Sequence, residues 1–505
     1  MSLSIPVSSD PYSAGWEGAA LANQRGQNQN DPSLPVGAYY WQLSHWKVMQ
    51  IVLNGNHAMR DTAARDYIPQ LPNEDDACYQ RRLKAGLFSP YTSRLIDAAV
   101  GLILRKPVTL EGGNEEFWKD WWKNVDRQGT DGDEFARRVL RNSIGYGHCS
   151  MLVDYPKAEG IRTLADERAA KLAPYLNVVE PWEVLGWRQD ARENQGKLQQ
   201  VRIRETVSIP EGDFGEKLVE QIRVLEPGNY RLFQREGRSE WAEVESGTTS
   251  LQDIPLVTTY AQKEAMQVST PPLLDIAYIN LAHYRLQSQH LNALQTAGFP
   301  ILVLHGWDDQ SPKLQIDVSK ALAMPPEGRV EYVEPANAAF DAYQTELSEL
   351  ENQMSNLGIS VLTQQKFAAE AAKKAQLDRI DTNSMLANIS QDLEQALQEV
   401  VDLAAEYAGQ EAPTVGIPRD FDATRLEGND VTSVIALFTS GIIDQQTALQ
   451  VLHRGEWLDD SVDIDEIMSQ TEVNELHEID MQVKRTEAMA EIGEGTPAND
   501  DELNG

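Results

Sequence analysis

Residues 300–309 read PILVLHGWDD, an apolar run ending in His305-Gly306. In an α/β-hydrolase a strand of this kind feeds the loop that supplies an oxyanion-hole amide, so the first chemistry to weigh is acyl transfer. That chemistry needs a nucleophile on a tight strand-to-helix turn, written Gly-x-Ser-x-Gly or Gly-x-Cys-x-Gly, downstream of the His-Gly strand. No such elbow follows residue 306. The nearest match, GHCSM at 147–151, lies upstream and has Met151 in place of the second glycine. Cys149 therefore reads as a small buried residue, and a hydrolase-like enzyme is only a remote alternative.

Other catalytic patterns are missing as well. There is no GxxxxGK[ST] phosphate loop, no H-E-x-x-H and no D-x-D-x-D-G, so neither cofactor nor metal is expected. The acidic stretch LDDSVDIDE from Leu458 lacks the glycine that turns a cation loop and reads as a solvated face. Trp118, Trp121 and Trp122 stand at i, i+3 and i+4 in EEFWKDWWKNV, one helix face suited to core or subunit contact.

Composition narrows the choice further. The 505 residues carry 44 Lys plus Arg against 78 Asp plus Glu, a formal net charge of -34. A protein that wraps phosphates as its main task is thereby excluded. Two cysteines, Cys78 and Cys149, give neither a disulfide scaffold nor a zinc-ligand spacing. The N-terminus lacks a basic-then-apolar signal, and no apolar run is long enough for a bilayer, so a non-membrane protein made in a reducing cytoplasm is expected.

The elements follow from pattern. Residues 1–36, rich in Ser, Asn, Gln, Gly and Pro, read as a flexible arm. A helix from Tyr39 closed by Gly55, and an apolar helix stopped by Pro107, come next. Between Asn177 and Tyr260, short alternating runs separated by Gly and Pro predict one antiparallel β-rich lobe. After Pro271-Pro272, the spacing of Leu274, Ala277, Leu281, Tyr284, Leu291 and Leu294 predicts a helix ended by Gly298. Strands FPILVLHGW and GRVEYVEP then flank a short helical VSKALA. A second helix carries a heptad-like seam of Phe340, Tyr343, Leu347, Leu350, Met354 and Leu357, with Asp341, Glu346, Glu349 and Glu351 on its other faces. From Ile359 to Ala408 there is neither Gly nor Pro. The second half of this stretch has a helical stripe from Leu386 to Tyr407; the first, ISVLTQQKFAAEAAKK, has none and reads as a loop or a solvent-lined start. Beyond Gly409, two short helices are expected, with Gly441 ending the first and Asp444 capping the second.

The motifs GYGHCSMLVDYP, IPLVTTYAQ, PPLLDIAYINLAHYRLQSQHLNALQTAGFPILVLHG, LENQMSNLG and ALFTSGIIDQQTAL, in this order, resemble the portal (head-to-tail connector) proteins of tailed bacteriophages over residues 40–455. The resemblance implies a ring, usually of twelve subunits, at one capsid vertex of the virion. Such a ring is assembled in the host cytoplasm and forms the channel for double-stranded DNA packaging and ejection. It implies an α+β, predominantly α fold: a β-rich wing at 37–270 joined by a long helix at 370–410, stem helices at 271–297 and 337–357, and a clip at 298–336. A channel loop at 358–369, a helical crown at 411–493 and a disordered acidic tail at 494–505 complete it. Implied partners are further copies of the chain, transiently bound DNA, terminase, a head-tail adaptor and the major capsid protein. By the same comparison Gln364, Gln365, Lys366, Lys373 and Lys374 are candidate DNA-channel contacts. Ile301, Val303, His305, Trp307, Lys313, Arg329 and Tyr332 are candidate clip contacts to the next subunit, terminase or adaptor. A different reading with the same composition is an acidic oligomeric scaffold or minor head protein that conducts no DNA.

If no nucleophile elbow exists, Cys149→Ser and His305→Ala should leave any apparent esterase signal of the purified protein unchanged. A loss of turnover in either variant would reinstate the enzyme.

Overall fold

The computed structural model describes residues 30–60, 64–156, 172–189, 197–297 except 236, 238 and 250, and then 301–305, 328–333, 338–362, 371–418, 434, 436–438 and 444–454. The chain divides into two compact units, Met1–Arg419 and Asp420–Gly505.

In the first unit, α1 (Gly37–Ala58) buries Tyr39, Gln42, Trp46, Met49 and Val52, a three-and-four spacing that turns one face inward. Gly55 adopts φ 66, ψ -145 and breaks the helical path, which resumes for one more turn. It is a kink rather than the expected stop. Then come α2 (Ala64–Tyr67), α3 (Asp76–Ala85), α4 (Tyr91–Ile103), β1 (Thr109–Glu111), α5 (Glu115–Trp122) and α6 (Gly132–Tyr146). Asp75, Asn114 and Asp131 cap α3, α5 and α6 by accepting backbone N–H bonds. The α4 helix ends at Ile103, short of Pro107, because the Leu104 backbone leaves the helical region and its carbonyl accepts from Arg137 Nη2 at 2.6 Å.

The tryptophans of α5 are core, as their spacing implies. Trp118 and Trp121 are buried and meet edge to face at 5.3 Å, and their indole N–H groups donate to the Glu411 and Pro174 carbonyls. Trp122 lies against Gly132, where a Cβ would sit about 2 Å from the ring.

The β-rich lobe holds β2 (His148–Asp154), β3 (Tyr175–Val179), β4 (Val184–Gln189), β5 (Leu198–Glu211), β6 (Gly215–Glu226), β7 (Asn229–Arg235), β8 (Ala242–Thr248) and β9 (Leu256–Tyr260). Strands β4 to β8 form a meander in chain order, and β3-β2-β9 form a second antiparallel sheet. Leu152, Val179 and Leu256 pack against Val184, Val201, Ile203 and Leu225 to make the core between them. A small hairpin, β10 (Lys263–Ala265) with β11 (Val268–Ser269), leads out of the lobe. The antiparallel lobe expected from the alternating runs is present, and it begins earlier than expected, at His148.

The N-terminal arm was expected to extend to residue 36, yet residues 30–36 are bound to this lobe. The Val36 N–H donates to the Leu185 carbonyl at 2.9 Å, and Arg202 Nη1 donates to the Pro32 carbonyl at 3.2 Å. Prolines 32 and 35 restrict the segment beforehand, so little entropy is lost on docking.

The remaining elements are α7 (Leu274–Ala297), β12 (Ile301–His305), β13 (Arg329–Val333), α8 (Ala338–Leu362), α9 (Ala371–Ala408) and β14 (Thr414–Gly416), the last paired with β1. The stripe of α9 is buried from Leu386 to Ala404 and packs on β9. There Asp392 Oδ2 accepts from the Tyr260 N–H at 2.6 Å and from Thr259 Oγ1 at 3.0 Å. Among the described residues the fold is mixed α+β, about half helical with several antiparallel sheets. Described by itself, the second unit contains α10 (Gln445–Arg454), capped as expected by Asp444, which accepts the Thr447 N–H at 3.1 Å. Gly441, VSKALA, the LDDSVDIDE stretch and the acidic tail lie outside the described residues.

Helix α4 has no side-chain cap of its own. Asn280 of α7, fully buried, supplies one from a distance: Oδ1 accepts the Thr92 N–H and hydroxyl, and Nδ2 donates to the Ser89 carbonyl at 2.9 Å. Asn280→Ala leaves these groups unpaired in the core and should lower unfolding stability by about 1–3 kcal/mol. Asn280→Asp buries an unpaired carboxylate with an oxygen facing the Ser89 carbonyl and should be at least as destabilised as Ala in urea unfolding at neutral pH.

Candidate functional site

The histidine and cysteine of the GHCSM stretch are closed off. Cys149 is 0% and His148 1% exposed, both on β2 in the core. Burial pushes the Cys149 thiol up, and burial pulls the His148 imidazole down to about 3. His148 Nδ1 lies 2.7 Å from Ser269 Oγ, but Ser269 is fully buried too, so the pair is a satisfied core contact without access for a substrate. His305, by contrast, is on the surface at the end of β12. Its Nε2 is 3.0 Å from Glu331 Oε1, and Arg329 Nη2 is 2.9 Å from Glu331 Oε2. The His305 hydrogen bond, with Arg329 second, holds the Glu331 carboxyl below the usual range. This is an exposed ion cluster across two paired strands. Among the described residues no group of three metal-ligating side chains is found.

What the structure does assemble is an excursion: α7 leads away from the lobe, β12 and β13 form a hairpin, and α8 returns beside α7. The β12–β13 register runs from Ile301↔Val333 to His305↔Arg329. Of the candidate clip residues, Ile301, Val303, His305, Arg329 and Tyr332 are therefore brought together on one two-stranded sheet. Trp307 and Lys313 lie outside the described residues. Val303 and Leu304 are half-buried and Val330 is exposed, so the ribbon retains apolar surface within one copy.

Helices α7 and α8 are held together by mixed contacts. Ala277, Leu281 and Tyr284 of α7 and Met354 of α8 are buried. His283 Nε2 is 3.1 Å from Glu351 Oε1, and the His290 ring stacks on Tyr343 at 5.6 Å. The sequence hides these contacts, because His283, Gln287 and His290 occupy i, i+4 and i+7 on what otherwise reads as a plain apolar face. Polar residues at that spacing inside a helical stripe were the signal available. Along the seam of α8, Phe340, Tyr343, Leu347 and Leu350 are only half-buried, and Leu357 is exposed.

The outer face of α8 lines a groove of about 630 Å³ with Asp341, Gln344, Thr345, Ser348, Glu349 and Asn352. The whole of α8 contains no Lys or Arg. The exposed polar side chains described on it are carboxylates, amides and hydroxyls.

The expected boundary between stem helix and channel loop at 357/358 is displaced. Helix α8 continues to Leu362, and Gly358 is a contact point rather than a terminator: a Cβ there would lie 2.6 Å from the Leu95 side chain of α4. Without Gly or Pro beyond it, nothing local ends the helix at that point. Lys373 and Lys374 stand in the first turn of α9, within the long helix expected at 370–410. Gln364, Gln365 and Lys366 lie outside the described residues.

Residues 272–408, which run from the start of α7 to the end of α9, match the model of a domain of unknown function, DUF4055. No curated protein matches the sequence. Among solved structures, the chain is similar to one in the neck of an empty gene transfer agent (GTA) particle computed with C6 symmetry. That match has 9% identity and a TM-score of 0.40, over 76% of this chain and 96% of that one. A chain in the neck of the native particle computed with C12 symmetry has 10% identity and a TM-score of 0.38, over 72% and 89%. A chain in the virion of the native particle has 10% identity and a TM-score of 0.38, over 78% and 98%.

Proposed function

We propose that this chain is the subunit of a portal ring, a non-enzymatic channel for double-stranded DNA at the vertex of a phage-like particle, with terminase and a head-tail adaptor docking at its hairpin end. The observation that carries this reading is the α7–hairpin–α8 excursion, together with the order of the motifs around it. Two long helices returning side by side form a rod, and a rod with one half-buried apolar seam and one cation-free face suits a wall. The seam is left for a neighbouring copy, while the acidic and neutral face is turned to a lumen.

A channel must let a polyanion slide. Each Lys or Arg contact to phosphate releases counterions and adds affinity, which along a moving duplex is friction. A wall helix without Lys or Arg avoids that term. An acidic scaffold without a channel would place no such demand on α8, and this favours the portal over the scaffold. The β12–β13 ribbon is the docking element in this reading, since two strands alone leave apolar surface and both outer edges unpaired.

Negative-stain imaging of the purified protein should show closed rings with a central lumen wider than duplex DNA. Open arcs, filaments or solid particles would fit the scaffold instead. Removal of residues 300–332 should leave the far-ultraviolet circular dichroism of the lobe in place and weaken ring formation in native mass spectrometry; unchanged rings would count against the ribbon as a subunit contact.

Lys366, by this reading, faces the lumen at the junction of α8 and α9. One Lys per subunit gives a ring of flexible positive groups that touch phosphates in turn without base information. Lys366→Glu should change folding stability by no more than about 0.5 kcal/mol, the usual range for an exposed position. It should also reduce DNA packaging or retention in assembled heads, measured as DNA per particle.

A further inference from the structure

Strands β5 and β6 are longer than the sheet they belong to. The β4 partner of β5 ends at Ile203, and the β7 partner of β6 ends at Glu220. From Val207↔Val219 to Glu211↔Gly215 the two strands therefore pair, among the described residues, only with each other. This lone ribbon exposes Ile209 at 42% and Leu218 at 55%, and Phe214 in its turn is 102% exposed. Glu211, Asp213 and Glu216 surround Phe214 and are also exposed. A two-stranded ribbon of this kind is marginal by itself in water, and an aromatic side chain at its tip gains nothing from solvent.

At the other end of the same sheet is a cavity of about 390 Å³ with the complementary character. Val224 and Phe233 line it together with Asp31, Leu34 and Pro35 of the docked N-terminal segment, and the Arg231 guanidinium lies over the Phe233 ring at 5.7 Å. Arg188 and Arg202 stand at its rim. Gly186 makes room for Arg202, since a Cβ there would lie about 2 Å from the guanidinium. Arg202 is partly desolvated: burial, and secondarily the charge of Arg188, lower its pKa. Among the described residues no carboxylate forms an ion pair with Arg188. In a chain of net charge -34, a cavity lined by Arg188, Arg202 and Arg231 with Asp31 as its lining carboxylate is an exception.

We infer that the β5–β6 ribbon of one copy docks in the Arg188/Arg202 cavity of the next, with Phe214 packing on the apolar part of its lining, Val224 and Phe233, and the tip carboxylates meeting the arginines. A copy cannot serve itself. Arg202 and Glu211 lie on one extended strand, nine residues and so about 30 Å apart. A tip and a socket on different surfaces form a head-to-tail contact, the type that closes into a ring when the rotation permits. The inference rests on the ring proposed above and adds to it a contact that lies in the β-rich lobe, away from the excursion.

The test uses the full chain with Cys78→Ser as background. Asp213→Cys combined with Arg188→Cys should give, on mild oxidation, an interchain disulfide ladder extending past dimer on non-reducing gels, and neither single variant should. Phe214→Ser, a change at a solvent-exposed turn, should keep the circular dichroism of the parent and raise the concentration for half-assembly about tenfold, the loss of one buried aromatic contact. Rings that form normally without any ladder would overturn this contact and leave the ring intact. A parent that is monomeric at all concentrations would overturn the ring, and this contact with it.

Discussion

Everything in the excursion depends on how it is rooted. Helix α4 begins after Pro90 with no cap of its own, and Asn280 of α7 completes it, so the start of one helix is fixed by the middle of another. At the same root, the Tyr91 ring meets His283 edge to face at 5.4 Å, and His283 reaches Glu351 of α8. Farther along α8, Gly358 allows close approach to Leu95. These contacts join α4, α7 and α8 by directional bonds and one backbone-close crossing, which apolar packing by itself would leave free to slide. With its root fixed, α7 extends for 24 residues, about 36 Å, toward β12 in the chain.

Charge is distributed to match. In the lobe, burial works against the charge of Arg223, and Glu205 at 2.7 Å and Asp154 at 2.8 Å more than offset it, raising its pKa. Arg82, fully buried, pairs with Glu74 at 2.7 Å. Cations thus serve as internal ties where β-strands and short helices meet. In α8 they are absent altogether, and α7 has Arg285 alone. A sequence with this much excess acid would be expected to spread its lysines for solubility. Leaving them out of one 25-residue helix is a local restriction, of the kind a wall facing a moving polyanion would impose.

Much of this was legible in the sequence, for reasons that are local. Helix faces such as Leu274 to Tyr284 and Leu386 to Ala404 repeat at 3.6 residues, alternating runs gave the antiparallel lobe, and Asp444 capped the helix it precedes. The misreadings share a cause, which is that single residues act through partners remote in the chain. Gly358 looks like a terminator until Leu95 is beside it, Gly55 kinks a helix instead of ending it, and the segment 30–36 looks unstructured until Leu185 and Arg202 take its backbone. Asn280 within an apolar stripe gives no sign that it caps another helix. The far part of the β5–β6 hairpin alternates like any strand, and only strand lengths compared across the sheet expose it as unsupported.

Two ribbons with exposed apolar side chains on one chain are a stronger constraint than either alone. A protein that acts as a monomer would be expected to trim such ribbons or to line them with lysine, because exposed strand edges template aggregation. Here Val330 in one ribbon and Ile209, Phe214 and Leu218 in the other are left exposed, and the second carries carboxylates in place of lysines around its tip. A two-fold dimer uses one patch against itself and so accommodates one ribbon readily, whereas a cyclic ring gives every copy two different neighbours, one for tips and one for sockets. Closure also removes the free ends through which such contacts would otherwise grow into filaments. The retention of both ribbons is therefore consistent with a closed ring of head-to-tail contacts, and that same closure is what would surround a lumen with the cation-free faces of α8.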